Sequence, residues 1–358
     1  MIATEKFAVR HTSQSRLHEV DFSAIDFGKI VSDHMLVAHY KNGQWQEPEI
    51  VPYGHISLSP TALSLHYGQT VFEGMKAFRM KNGNISVFRM EKHFDRFGKS
   101  LERLCMPQVP YEYFTEGIKQ LVELDAAWVS GNEGASLYIR PFVFASNEER
   151  FGVHESEEYT FMVFTGPVSP YYTKPIRVKV EDKYHRAVHG GTGFAKCGGN
   201  YGASFYPTKM AREQGFDQVL WADNTPELNI EESGTMNVMF VIDGVVITPE
   251  LTDTILDGVT RDSFLTIAGS LGYKTEERKI SARELAHAAE KGLLQEAFGV
   301  GTAAVAAPIR SIHIQGINYN IPESGAHSFM HQAKTLLADI RSGWASDMFH
   351  WNTVIELD

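Results

Sequence analysis

Apolar and polar positions alternate through much of the first half of the chain, and two Asn-Gly pairs punctuate that alternation. VAHYKNGQWQ and FRMKNGNISVF each set strand-like runs on either side of a pair, Asn42-Gly43 and Asn82-Gly83. Asn-Gly supplies the positive φ angles of a type I′ turn, so both stretches are predicted to be hairpins. The period then changes. In EKHFDRFGKSLERLCM, the residues Phe94, Phe97, Leu101, Leu104 and Cys105 recur at helical spacing, which predicts an amphipathic helix. A second helix is expected over 113–129, and SLYIRPFVFAS and EYTFMVFTG read as strands. TGPVSPYYTKP carries three prolines and a glycine, which break any regular element. It marks a linker, 166–175, between a smaller N-terminal domain of 1–165 and a larger C-terminal domain of 176–358. Beyond it, IRVKVE and QVLWAD read as strands, and TMNVMFVIDGVVITPE as a hairpin turning at Asp243-Gly244. GVTRDSFLTIAGSLG reads as a turn followed by a helix. SARELAHAAEKG is a helix opened by a capping box, Ser281 and Glu284, and ended at Gly292.

Composition narrows the class. A chain of 358 residues exceeds what one core usually holds, consistent with two domains. Its 33 basic against 44 acidic residues give a net charge of −11, and no basic stripe is present, which argues against a nucleic-acid surface. The two cysteines, Cys105 and Cys197, form no CxxC pair; neither a disulfide framework nor a zinc ribbon is supported, and a reducing compartment fits. No apolar run reaches the length of a membrane span. The first twenty residues lack the apolar stretch of a secretory signal, and Glu5 and Glu19 count against a transit peptide. A cytoplasmic enzyme is expected.

The densest candidate chemistry is GGTGFAKCGGNYGAS, Gly190 to Ser204, where glycines surround one lysine, Lys196. A phosphate loop would need a glycine before that lysine and a hydroxyl after it; Ala195 and Cys197 stand there instead. A dinucleotide fingerprint fails because Lys196 occupies the place of its last glycine. Two readings stay open on spacing alone. One is a solvated lysine in a glycine-rich loop. The other is an amine kept near its neutral form by burial, placed to attack a flat aromatic aldehyde that glycine backbone lets approach closely. The second reading requires an acid for a pyridine nitrogen, a phosphate cup and a carboxylate site. NIEESGTMNVMF offers Glu231 or Glu232; DGVTRDSF offers Gly258-Val259-Thr260 at a helix start; VGTAAVAAP offers Gly301-Thr302-Ala303. Tyr201, five residues after the lysine, offers a hydroxyl for a phenolate. His185 and His189 stand four apart with no third ligand nearby, so no metal is expected.

Several long motifs occur together and in order: HYGQTVFEGMKAFR, FDRFGKSLERL, LYIRP, GGTG-x-x-K-x-GGNYG, QVLW, E-x-GTMN, DGVTR and GTAA. With them, from about Phe27 to Pro308, the chain resembles the branched-chain amino acid aminotransferases. These are pyridoxal 5′-phosphate enzymes of fold type IV, here of the longer subfamily shared by eukaryotes and some bacteria. The resemblance implies a two-domain α+β / α/β fold like that of D-amino acid aminotransferase, with an N-terminal α+β domain and a C-terminal β pseudo-barrel with helices. It implies reversible amino transfer between L-leucine, L-isoleucine or L-valine and 2-oxoglutarate. It assigns Lys196 as the Schiff-base lysine and proton carrier, Glu232 to the pyridine nitrogen and Tyr201 to the phenolate oxygen. Arg96, the backbone of Val259 and Thr260, and Thr302 fall at the phosphate. Thr235 and Ala303 fall at the substrate α-carboxylate. Phe27, Tyr67, Phe72, Tyr138 and Tyr201 line the side-chain pocket, with Arg140 at its rim for a γ-carboxylate. It further implies a homodimer in which Tyr67 and Val153 reach the neighbouring subunit's site, small-molecule substrates, and neither nucleic acid nor membrane as partner. The chain departs from mammalian members, whose redox CxxC positions are here Ala304 and Ala307. Two other readings are a D-amino-acid aminotransferase or aminodeoxychorismate lyase, and a catalytically silent cofactor-binding scaffold.

Overall fold

The computed structural model describes residues 7–22, 25–147, 151–169 and 174–357. The chain divides into two compact units: 1–171 with 195–198 and 339–358, and 172–194 with 199–338.

The first unit is α+β. Its strands are β1 (Ala8–Val9), β2 (His34–Lys41), β3 (Gln44–Trp45), β4 (Glu49–Pro52), β5 (Thr70–Phe72), β6 (Met75–Arg79), β7 (Ile85–Phe88), β8 (Ser136–Ala145) and β9 (Tyr159–Val168). Its helices are α1 (Leu63–Tyr67), α2 (Met90–Arg103) and α3 (Tyr111–Leu124). The sheet runs β1-β4-β2-β9-β8-β6-β7, with β3 on β2 and β5 on β8, and all but the β1–β4 pair are antiparallel. Period-2 alternation sorts β8: Leu137 and Ile139 join a core with Met75, Ala77 and Val87 and the helix residues Phe97, Leu101, Phe114 and Ile118. Tyr138 and Arg140 therefore point to the other face. Helix α3 ends at Leu124, short of the expected 129, and passes into a 3₁₀ turn, Ala126–Trp128.

The two Asn-Gly turns differ. Asn42 and Gly43 both have positive φ, 53° and 77°, and close a two-residue β2–β3 hairpin of the expected type. Between β6 and β7 only Gly83 is left-handed, at 90°, and the loop spans Met80 to Asn84, closed by the Met80 N–H on Asn84 O at 2.8 Å. That turn is not type I′. The expected linker also begins too early: Gly166, Pro167 and Val168 are the end of β9, opposite Tyr138, Leu137 and Ser136. They lie beyond Phe164, the last β9 residue that β2 pairs, so the missing N–H of Pro167 removes no ladder bond. Residues 170–173 of that linker lie outside the described residues.

The second unit holds β10 (Ile176–Glu181), β11 (Gln218–Ala222), β12 (Ile230–Ser233), β13 (Met236–Ile242), β14 (Val245–Thr248), β15 (Thr275–Glu277), β16 (Leu294–Gly301), β17 (Val305–Ile314) and β18 (Ile317–Asn320). Six strands close on themselves in the order β12-β11-β10-β17-β16-β13, with β13 pairing back to β12. This is a barrel with an apolar interior that includes Val178, Leu220, Val238, Phe240 and Ala307. Its helices are α4 (Gly198–Gly202), α5 (Phe205–Glu213), α6 (Val259–Ser270), α7 (Ala282–Glu290) and α8 (Phe329–Ser342), the first and last of which extend into the other unit's residues. Ser281 Oγ accepts the Glu284 N–H at 3.1 Å and caps α7, while the Glu284 carboxylate turns to Arg278 instead of completing the box.

The expected second domain, 176–358, is corrected at its end. Strand β19 (Asn352–Ile355) pairs antiparallel with β7, so 339–358 belong to the first unit.

Candidate functional site

In the first unit, the backbone of Lys196 is held from two sides. Its N–H donates to Ser100 Oγ on α2 at 2.9 Å, and its carbonyl accepts the Phe72 N–H of β5 at 3.0 Å. Ser100 Oγ in turn donates to Arg96 O at 3.0 Å, and Cys197, buried as a small filler, bridges Val71. The half-buried lysine puts Nζ 4.9 Å from the centre of the Phe72 ring. A solvated loop lysine would need none of these fixtures.

One turn before Ser100, Arg96 is buried on the inner face of α2, beside His93. Both meet Glu73, which has no exposure at all. Arg96 Nε donates to Glu73 Oε1 at 2.7 Å and Nη2 to Oε2 at 2.8 Å; His93 Nδ1 lies 2.7 Å from Oε2. Burial alone would raise the carboxyl's pKa, but the Arg96 and His93 contacts hold it well below the usual carboxylate range. Burial pushes His93 down, so its imidazole is neutral and Nδ1–H is the donor. Sequence reasoning missed Glu73 and His93. The available signal was an acid inside an apolar strand run, and a histidine three residues before Arg96 on one helical face.

On the sheet face opposite the core, Arg140 lies 4.9 Å over Phe72 and 5.2 Å over Tyr138, and its Nη2 donates to Tyr138 Oη at 3.1 Å. Arg140 Nε is buried with no partner. Phe27 packs edge-on against Tyr138 at 5.1 Å. The structure therefore brings together Phe27, Phe72, Tyr138, Arg140 and, through Phe72, Lys196. Lys76, opposite Tyr138 in register, was also missed; burial, and then Arg341, lower its pKa to about 7. Tyr67 and Val153, expected to reach the neighbouring subunit's site, are exposed on this unit. Tyr67 is 49% exposed and donates to Phe151 O at 3.0 Å, and Val153 is 82% exposed.

In the second unit, adjacent positions on β12 send Glu231 and Glu232 to opposite faces. Glu232 is buried; its Oε1 accepts the Leu256 N–H at 2.8 Å and lies 3.0 Å from Arg186 Nη2. It lines one pocket with Tyr201, Asn200, Gly234 and Thr235. Glu231 lines a different cavity with Asp223, Asn229 and Lys279, and burial pushes its carboxyl up. Asn200 anchors the Tyr201 turn through mutual hydrogen bonds with Thr192 at 2.7 and 2.8 Å. Nearby Gly193 is required by packing: a Cβ would stand 2.6 Å from Thr254 O. Helix α6 starts at Val259 after a Gly258 N-cap that has no side-chain cap. The first intrahelical bond is Asp262 N–H to Gly258 O, so the N–H groups of Val259 and Thr260 have no intrahelical acceptor. Thr302 and Ala303 form the half-buried turn from β16 to β17. His185 faces Ala222 O and His189 pairs with Asp253; among the described residues no group of three or more His, Cys, Asp or Glu is placed to hold a metal.

These donors fit pyridoxal 5′-phosphate chemically. Each unit by itself offers donors of the right chemistry: the first an amine on a pinned backbone and an arginine, the second a buried carboxylate and a helix N-terminus without a side-chain cap. The comparisons agree. Residues 70–312 match the model of amino-transferase class IV. The chain is 44% identical over 340 residues to a probable branched-chain-amino-acid aminotransferase of Staphylococcus aureus (strain MRSA252), covering 94% of each. It is 40% identical to the branched-chain-amino-acid aminotransferase 2 of Bacillus subtilis (strain 168), covering 94% of this chain and 93% of that one. Among solved structures, a branched-chain aminotransferase from the thermophilic archaeon Thermoproteus uzoniensis, with norvaline, aligns with a TM-score of 0.73 at 26% identity, over 90% of this chain and 100% of that one. The chain thus has the fold-type IV architecture and belongs to the class IV aminotransferases, in the branched-chain aminotransferase family.

Proposed function

We propose that this chain transfers the amino group reversibly between L-leucine, L-isoleucine or L-valine and 2-oxoglutarate. The observation that carries the reading is the pinned Lys196 backbone, held by Ser100 and Phe72 on the same helix and strand that position Arg96 and Glu73. Pyridoxal phosphate, the cofactor of fold-type IV aminotransferases, supplies when bound an aldehyde carbon for the amino group and a ring that withdraws electrons.

The residues divide the remaining work. With the cofactor bound, Lys196 Nζ would take the proton from the substrate Cα as general base and deliver it as general acid to the former aldehyde carbon, so that the amino nitrogen stays with the cofactor and the substrate leaves as its 2-oxo acid. Glu232 holds a proton at the pyridine nitrogen, and the Tyr201 hydroxyl donates to the phenolate oxygen. Arg96, the Val259 and Thr260 N–H groups and the Thr302 hydroxyl bind the phosphate. Thr235 and the Ala303 backbone bind the substrate α-carboxylate. Phe27, Phe72 and Tyr138 exclude water around an aliphatic side chain, and Arg140 pairs with the γ-carboxylate of glutamate. The exposure of Tyr67 and Val153 supports a homodimer in which each reaches its neighbour's site. The unpaired Cys105 and Cys197 support a reducing, cytoplasmic setting. Among the described residues no helix is long and apolar enough to cross a membrane.

The test is optical. The purified enzyme should be yellow, lose that colour with L-leucine and regain it with 2-oxoglutarate. Lys196→Ala should do neither, and D-alanine should not replace L-leucine. Colour cycling with D-alanine alone would assign the protein to the D-amino-acid enzymes instead.

A further inference from the structure

The phosphate role proposed for Arg96 leaves open what aims its guanidinium. Arg96 has five N–H donors in a rigid plane, and a phosphate is met in a fixed orientation only if that plane is fixed. Glu73 provides such a fixture. Its two oxygens accept from Arg96 Nε and Nη2 at 2.7 and 2.8 Å, the side-on bidentate arrangement. Oε2 also accepts from His93 Nδ1 at 2.7 Å and from the Gly74 N–H at 3.0 Å. The carboxylate is itself immobilised: the Glu73 N–H donates to Pro141 O at 2.7 Å, and the preceding Phe72 N–H holds Lys196 O. One dipeptide, Phe72-Glu73, therefore grips the lysine backbone with one residue and the arginine side chain with the next.

We propose that Glu73 is a positioning residue for cofactor phosphate. By accepting from Nε and Nη2 it fixes the plane in which the Arg96 guanidinium meets the phosphate, next to the residue that holds the Lys196 backbone. His93, neutral and donating through Nδ1, holds Oε2 in line and adds no positive charge beside the lysine.

The proposal rests on the reading of Arg96 as a phosphate ligand, and the experiment separates the two. Apo-enzyme is titrated with pyridoxal 5′-phosphate and with pyridoxal, which lacks the phosphate, and each affinity is read by absorbance. Glu73→Gln keeps the shape of the side chain but loses the charge and one acceptor. It should weaken pyridoxal phosphate about 10- to 100-fold and change pyridoxal by less than about threefold. Glu73→Asp should recover part of the lost affinity, because it keeps the charge and retracts it by one methylene. Arg96→Met should show the same selective loss as Glu73→Gln, and the double variant should lose little more than either alone. Equal losses for both ligands in Glu73→Gln, or none, would overturn the proposal while Arg96→Met still reports on the arginine. A normal phosphate preference in Arg96→Met would overturn both readings. If Glu73→Gln does not fold by circular dichroism, the two titrations of Glu73→Asp decide: an unchanged phosphate preference would count against the proposal, and a selective loss would support it.

Discussion

Arg140 carries its charge over two aromatic rings, with Nη2 on Tyr138 and a buried Nε that has no partner. A buried donor without an acceptor is costly, and a substrate γ-carboxylate would satisfy it. Arg140→Met is therefore expected to cost glutamate about 2–3 kcal/mol in kcat/KM, some 30- to 150-fold, and leucine far less. Single-turnover measurements with each amino acid check this; equal losses would make Arg140 structural. Lys76, opposite Tyr138 on the same face, behaves differently. Its pKa is lowered to about 7, first by burial and then by Arg341. The unfolded chain returns it to its ordinary value, about 10.4, so folding penalises the charged form. That penalty is complete below about pH 7 and fades as pH rises from there to about 10.4. Lys76→Met should stabilise the protein by a few kcal/mol, on the order of the pKa difference, near about pH 6, and by much less near about pH 9.5. Urea denaturation at the two pH values reads it, and a gain that did not change with pH would show that the charge is not what costs. These residues also mark what was legible. Lys196, Arg96 and Tyr201 were candidates because short motifs contain them. Glu73, His93 and Lys76 did not, because their significance arises from partners 20 or more residues away in sequence or on another strand.

At the scale of elements, the N-terminus of α6 shows why a helix start is more than a boundary. Gly258 is its N-cap, and a Cβ there would stand 1.8 Å from Asn237 Oδ1. Asn237 has little room to yield, since its Nδ2 donates to Leu256 O at 2.9 Å. Gly258→Ala should therefore displace the backbone that carries the Val259 and Thr260 N–H groups. The expected result is a loss of about 1–3 kcal/mol in stability. Pyridoxal phosphate affinity should fall about tenfold, read by titrating apo-enzyme; unchanged affinity would take α6 out of the phosphate site. The helix was legible from its Gly-Val-Thr start and apolar spacing, but the reason for the glycine was not, because Asn237 comes from a different strand. The hairpins divide in the same way. Asn42-Gly43 closes with no residues to spare, so local turn preference decides it. Asn82-Gly83 sits in a longer loop, where only the glycine needs the left-handed angle.

At the scale of the whole molecule, the two-unit division was legible from chain length and the proline-rich stretch, and the return of the tail was not. A four-residue strand carries almost no periodic signal, and nothing local says which sheet edge it joins. Yet β19 completes the first sheet, and the residue before it has a specific task. Trp351 is buried; its ring stacks on Phe349 at 4.4 Å, meets Phe88 edge-on at 5.6 Å and lies 5.1 Å under the Arg89 guanidinium. Its carbonyl accepts the Arg89 N–H at 2.7 Å. Arg89 is the N-cap of α2 and holds a left-handed φ of 50°, a conformation that costs energy in a non-glycine residue and persists only where its surroundings enforce it. The tail thus sets the entry of the helix that carries His93, Arg96 and Ser100. Trp351→Ala should cost about 3–5 kcal/mol in urea denaturation, and should lower cofactor affinity because α2 loses its fixed start. Trp344 provides the control, since it lies in the same tail but is 71% exposed. Trp344→Ala should stay within about 0.5 kcal/mol of the parent and bind cofactor normally. Hydrogen exchange at the first turn of α2 separates the outcomes: faster exchange in Trp351→Ala alone supports this role, and equal exchange in both variants would reduce the tail to an ordinary edge strand.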